Sequence, residues 1–154
     1  MASYVVERSA VVRAPAERVH ALVADFRQWP AWSPWEDVDP DLHRAYDGPE
    51  TGPGSSYAWS GNRKAGSGRM AVTSDTPERV DFDLHFEKPI KSDSAFAFVL
   101  RPTDAGTEVT WRMTGEQRGL MAVLGKVVSM DRLVGKDFEK GLARLRAVAE
   151  QAAP

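Results

Sequence analysis

Few residue types in this sequence carry chemistry, and their spacing narrows the choice further. Three histidines, His20, His43 and His85, are the obvious metal ligands, but their separations match no ligand motif. His85 shares its side of the segment "RVDFDLHFE" with Asp81, Asp83 and Glu87, which predicts a bare, solvated imidazole. The chain contains no cysteine, so disulfides, thiol nucleophiles, thiolate metal sites and iron–sulfur clusters are all excluded. Serine hydrolysis lacks its frame as well: no Gly-x-Ser-x-Gly occurs, and the serines have no evident base. "GPETGPGS" and "GNRKAGSG" are glycine-rich, yet they join strand to strand, whereas a phosphate-cradling loop opens a helix. Neither a metal nor a cofactor is expected.

Two charged residues break the pattern around them. Asp131 falls inside an apolar helical arc between Val127 and Val134, and strict alternation puts Arg8 on one strand face with Val6, Ala10 and Val12. A buried carboxylate without a partner is costly and shifts toward its neutral form. Asp131 is therefore the one catalytic candidate, and with Arg8 and Tyr46 or Tyr57 it would supply the few polar contacts that orient a ligand. In the alternative reading Asp131 bonds its neighbouring turn and Arg8 snorkels out at the sheet edge.

The frame for these side chains follows from periodicity. Ser3 to Arg13 alternates as a strand, and "RAPAERVHALVADF" places Val19, Leu22, Val23 and Phe26 on one helical face behind a first-turn Pro15. "QWPAWSPWED" follows, with Trp29, Trp32 and Trp35 broken by Pro30 and Pro34, which permit at most a second short helix or a turn. From Leu42 the rhythm is β: "LHRAY", "SSYAWSG", "SGRMAVTSD", "RVDFDLHFE", "SAFAFVLR" and "TEVTWRM" are separated by turn residues, which predicts six antiparallel strands in a meander. Helical spacing returns in "LMAVLGKVVSMDRLVGKDFEKGLARLRAVAEQ", where Leu124, Val127, Val134, Phe138, Leu142, Leu145 and Ala149 form one stripe. Gly135 and Gly141 lie in that stripe and predict a close approach of backbone or space for something else.

The expected fold class is α+β: a curved seven-stranded antiparallel sheet wrapped around a long C-terminal helix, with two short helices after the first strand. With 154 residues and 42% hydrophobic content the chain fits a single domain spanning 1–154. A formal net charge of -2 with interspersed signs gives no phosphate-neutralising face, so nucleic acid is not an expected partner. No apolar run reaches spanning length, so no membrane insertion is expected, and the start reads as cytoplasmic because Glu7 and Arg8 interrupt any signal region.

Three strings, "VVRAPAERVHALVADFRQWPAWSPW", "GPETGPGSSYAWSGNRKAGSGRM" and "SMDRLVGKDFEKGLARL", give the chain its likeness. It resembles the START-like or SRPBCC superfamily, the helix-grip fold, in its bacterial polyketide cyclase/dehydrase and lipid-transport branch. The resemblance implies a hydrophobic-ligand cavity between sheet and C-terminal helix and does not imply a reaction, since the fold serves carriers, cyclases and protein-binding modules alike. The iron site of ring-hydroxylating oxygenases, which share this fold, has no counterpart here in two histidines and a carboxylate.

Candidate lining residues are the inward members of each strand. These are Tyr46 from "LHRAY", Tyr57 and Trp59 from "SSYAWSG", Met70 from "SGRMAVTSD" and Phe82 and Leu84 from "RVDFDLHFE". Phe96 and Phe98 come from "SAFAFVLR", Trp111 and Met113 from "TEVTWRM", and Val134 and Phe138 from the helix, with Arg8 and Asp131 as polar members. The resemblance puts the tryptophan segment at the cavity rim, where Trp32 and Trp35 would wall the ligand; Trp29 and Trp32 would otherwise plug the small end of the core. The expected function is binding of a lipid, polyketide or aromatic metabolite. The alternatives are a cyclase/dehydrase, which needs two or more convergent titratable groups, and a protein-interaction module, which needs an exposed apolar patch on the outer sheet face and has no partner identified by the sequence.

Overall fold

A computed structural model describes residues 2–34, 41–62, 66–88, 91–117 and 130–151, with the side chains at 2, 3, 116, 117 and 130–133 outside that description. The order is β1 (Ala2–Val12), α1 (Ala16–Ala24), a 3₁₀ helix (Phe26–Ala31), β2 (His43–Asp47), β3 (Ser56–Ser60), β4 (Ser67–Thr76), β5 (Arg79–Lys88), β6 (Ser92–Thr103), β7 (Gly106–Gln117) and α2 (Met130–Gln151). The strands form one antiparallel sheet in the order β1-β7-β6-β5-β4-β3-β2. This is the α+β helix-grip arrangement that the periodicities predict.

Local chemistry sets the boundaries. Pro15 is the N-cap of α1 in extended conformation, and its carbonyl accepts from the amides of Arg18 and Val19. The helix stops at Asp25, also extended, whose carboxylate accepts from Arg27 N at 3.0 Å and so caps the 3₁₀ helix. Pro30 sits inside that helix, where a proline ends further propagation. Curvature comes from β4 and β5, whose register shifts between Ser67 and Gly68 and again between Val72 and Ser74. Each irregularity bends the strand and increases its local twist.

Helix α2 lies against β1 and reaches α1, and its stripe of Phe138, Leu142, Leu145 and Ala149 is buried as the spacing predicts, with Val134 half-buried. Leu124 and Val127 lie outside the described residues. Both glycines of the stripe are points of close approach. A Cβ at Gly141 would sit 2.9 Å from Cζ3 of Trp111 and 3.0 Å from Cδ of Pro34, and one at Gly135 would overlap the Arg8 guanidinium. The far end of α2 is tied to the start of the fold: Arg13 N donates to Oε2 of Glu150 at 3.0 Å. Arg18 reaches the carbonyls of Val148 and Ala149.

The expected bare His85 requires correction. It is half-buried on the outer face and its Nδ1 is bonded to Asp93, the residue opposite it in the β5–β6 register. His20 likewise bonds Asp75 at 2.6 Å and ties α1 to β4, whereas His43 is exposed on the edge strand β2.

Candidate functional site

The inner face is best followed row by row across the strands, because cross-strand neighbours share a face. Arg8, Trp111, Phe98 and Val80 are opposite one another in β1, β7, β6 and β5. Trp111 stacks on Phe138 of α2 at 4.0 Å and 5°, and Trp32 meets both Phe98 and Trp111 edge-on. The next row runs Val6, Met113, Phe96, Phe82, Val72, and Trp29 packs on Phe82 and Phe96.

Trp32 and Trp29 are 0% and 1% exposed, and their indole N–H groups donate to the carbonyls of Leu22 and Val23 at 2.8 and 3.0 Å. This corrects the rim position expected for Trp32: its ring is committed to core. Phe82, Phe98, Trp111 and Phe138, also expected to line a ligand, are sealed in the same cluster. Trp35 lies outside the described residues, as does the side chain of Asp131, whose backbone is in the first turn of α2.

Cover thins along the sheet. The third row crosses all seven strands as Tyr4, Gly115, Ser94, Leu84, Met70, Tyr57 and Tyr46. In it Tyr4, Ser94 and Tyr46 are half-buried, and Leu84 and Met70, like Met113 beside them, keep 6% of their surface. Beyond it Phe86, Gly68 and Trp59 are opposite one another, with Phe86 and Trp59 half-buried. Gly68 makes room for the indole, since a Cβ there would lie 2.7 Å from Cη2 of Trp59. Trp59 meets Phe86 edge-on at 5.4 Å and stacks on Tyr57, which stacks on Tyr46, over whose ring Arg27 lies at 4.9 Å. The result is a flat-walled apolar end with phenols at both edges of the sheet.

Arg8 does not join it. Its Nε donates to Oε2 of Glu139 at 3.1 Å and its Nη1 to the Glu7 carbonyl at 2.8 Å. It lines an outer groove of about 700 Å³ between β1 and α2, with Ala10, Glu139, Leu142 and Arg146. The proposed grouping of Arg8 with Tyr46 or Tyr57 is therefore corrected: Arg8 and Tyr46 belong to opposite edge strands, and Arg8 turns to the edge as the alternative reading had it.

Two polar residues of the third row escaped the sequence reading. Tyr4 lies across Gly115, where a Cβ would be 2.5 Å from its Oη. Burial pushes its phenol above the ordinary value, and the Ser94 hydroxyl offsets part of the rise. The two hydroxyls feel each other without meeting the geometry of a hydrogen bond, and the buried Ser94 Oγ is left with no partner among the described residues. The signal was present: Ser94 stands at an inward position of "SAFAFVLR", and Tyr4 alternates with Val6. Among the described residues no three His, Asp or Glu side chains converge as a metal would require.

Comparison with known proteins places this geometry. A family described as "Polyketide cyclase / dehydrase and lipid transport" matches residues 3–150. No curated protein matches the sequence. Among solved structures, SA2116 of Staphylococcus aureus, a protein of unknown function, is 11% identical with a TM-score of 0.73 over 98% of this chain and 96% of that one. Protein CV1439 of Chromobacterium violaceum is 15% identical, with a TM-score of 0.69 over 95% and 96%. The di-domain ARO/CYC StfQ of the steffimycin biosynthetic pathway is 11% identical with a TM-score of 0.71 over 97% of this chain and 52% of that one, so this chain spans about half its length. At such identities the likeness is one of fold.

Proposed function

The chain belongs to the polyketide cyclase / dehydrase and lipid transport family, and from that premise we propose that it binds a hydrophobic small molecule against the inner face of its sheet beside α2. Aromatic, polyketide-like and lipid compounds share the required chemistry. The observation that carries this reading is the gradient of cover, from Trp111, Phe98 and Val80 at 1% or less to Met70 and Leu84 at 6% and half-buried Tyr46, Trp59 and Phe86. A partly covered, aromatic-walled end offers apolar surface for a ligand to bury. Burying roughly 300 Å² of a two-ring ligand contributes about 7 kcal/mol before association costs.

Binding stands ahead of cyclisation because cyclisation calls for convergent acid and base groups. Among the described residues the perturbed group at this end is Tyr4, and its shift is upward, so it stays a protonated donor at neutral pH. Binding also stands ahead of a protein-docking role: among the described residues the large exposed apolar ones are Val5 and Val11, both on the outer side of β1. The same proposal takes the chain as one domain, in keeping with a family match over 3–150. A cytoplasmic setting belongs to the proposal too; among the described residues no helix is long and apolar enough to cross a membrane.

The test is fluorescence titration with the neutral probe N-phenyl-1-naphthylamine. The expected result is saturable binding of one probe per chain, weakened at least tenfold in Leu84→Trp, which fills the third row, with the melting temperature preserved. Absence of saturable binding, or equal affinity in a folded Leu84→Trp, would sink the reading.

A further inference from the structure

The third row is apolar in its middle and hydroxylic at its β1 edge. Leu84 and Met70 occupy β5 and β4, while Ser94 of β6 and Tyr4 of β1 flank Gly115 of β7. Gly115 matters because its missing side chain is what lets the phenol lie over the sheet: a Cβ there would be 2.5 Å from Oη and 2.8 Å from Cζ of Tyr4. The ring is thereby swung from the sheet edge toward Ser94. Buried hydroxyls in native proteins nearly always have partners, and an exception needs an explanation. Here Ser94 Oγ is buried with no hydrogen-bond partner among the described residues, and it lies close enough to the Tyr4 phenol to offset part of the rise that burial gives that group. At the β1 edge of the row no described member is a cation or carboxylate, and the Arg27 guanidinium lies over Tyr46 at the opposite edge strand, so beside Tyr4 and Ser94 a neutral oxygen would find two O–H donors.

We propose that Tyr4 and Ser94, brought together across Gly115, form a two-hydroxyl clamp for a ketone carbonyl oxygen of the ligand whose hydrocarbon part lies on Leu84 and Met70. The inference rests on the binding reading above and names what that site recognises. Both hydroxyls donate to the carbonyl oxygen, which has two lone pairs, and the orphaned Ser94 Oγ is satisfied on binding. A hydrocarbon of the same shape leaves it unsatisfied, and the penalty for a buried unpaired hydroxyl makes the discrimination larger than one surface hydrogen bond would supply.

The probes are 2-acetonaphthone and 2-ethylnaphthalene, close in shape and different in the carbonyl, titrated by calorimetry into the intact protein. The parent is expected to prefer the ketone by at least tenfold. Tyr4→Phe and Ser94→Ala are each expected to cut that preference several-fold, read as the ratio of the ketone and hydrocarbon affinities within each variant. The carbonyl stretch of bound, carbon-13-labelled ketone gives a second readout that packing alone does not move: it is shifted to lower frequency in the parent and returns toward the hydrocarbon-solvent value in the double variant. Gly115→Ala, which displaces the phenol, should act like Tyr4→Phe. Equal affinity of the parent for the two probes, or a preference and a stretch that persist in a folded double variant, overturns the clamp and leaves the binding reading intact. If neither probe binds, and N-phenyl-1-naphthylamine does not bind either, the binding reading fails with it.

Discussion

Trp32 and Leu84 are both inward, apolar residues, yet the structure asks different things of them. Trp32 is wedged between Phe98 and Trp111, with its indole N–H spent on the Leu22 carbonyl; Leu84 has a neighbour row that is only partly covered. Replacing Trp32 with alanine removes a sealed ring and orphans a carbonyl, for an expected loss of about 3–5 kcal/mol in urea denaturation. A loss under about 1 kcal/mol would mean that the tryptophan segment is not core. Alternation in the sequence identified which side of β5 and β7 faces inward, and Leu84 and Met113 are on that side. It did not separate sealed residues from accessible ones, because that depends on which row a residue joins. The rows are fixed by the two register shifts of β4 and β5, and a shift of one residue carries no distinctive signature in composition. Ser94 and Tyr4 were missed for a related reason: a serine inside an apolar strand reads as an ordinary polar interruption until its cross-strand partners are known.

At the scale of elements, α2 shows where propensity and packing pull apart. Alanine is better than glycine in a helix by about 1 kcal/mol, so both Gly135→Ala and Gly141→Ala begin with the same gain. At Gly141 the new methyl meets Trp111, which is held between Phe98 and Phe138, and overpacking of about 1–3 kcal/mol outweighs the gain. At Gly135 it meets the far end of Arg8, a flexible side chain that can swing aside. Thermal denaturation is expected to show Gly141→Ala less stable than the parent and Gly135→Ala within about 0.5 kcal/mol of it; the reverse order would contradict the packing described for this helix. The close of α2 carries a pH dependence. The Arg13 amide, with help from Arg146, holds the half-buried Glu150 carboxyl below its ordinary value of 4.5. A depressed carboxyl stabilises the fold above its unfolded value and loses that contribution as pH falls through the folded one. The stability difference between the parent and Glu150→Gln should therefore shrink as pH is lowered from about 6 to about 3, and a difference independent of pH in that range would rule out the contact as its source. These elements were the most legible part of the chain: prolines and glycine turns marked every hairpin, and the stripe of α2 from Val134 to Ala149 could be read directly.

For the whole molecule, the proposed binding would couple to stability, because a ligand that prefers the folded state stabilises it by mass action. N-phenyl-1-naphthylamine at about a hundred times its dissociation constant should add about 2.7 kcal/mol to unfolding of the parent and much less to Leu84→Trp at the same concentration. The order of the strands has a further result, in time rather than in space. Of the strands in this sheet β1 is made before the others, and its sheet neighbour is β7, with Val12 opposite Thr107 and Ala2 opposite Gln117. During translation at about 5–20 residues per second, roughly 5 to 20 s pass before that neighbour has been made. For that interval Val5, Val6, Val11 and Val12 have no partner strand in this sheet, so the nascent chain carries a valine-rich strand open to pairing with a second copy of itself.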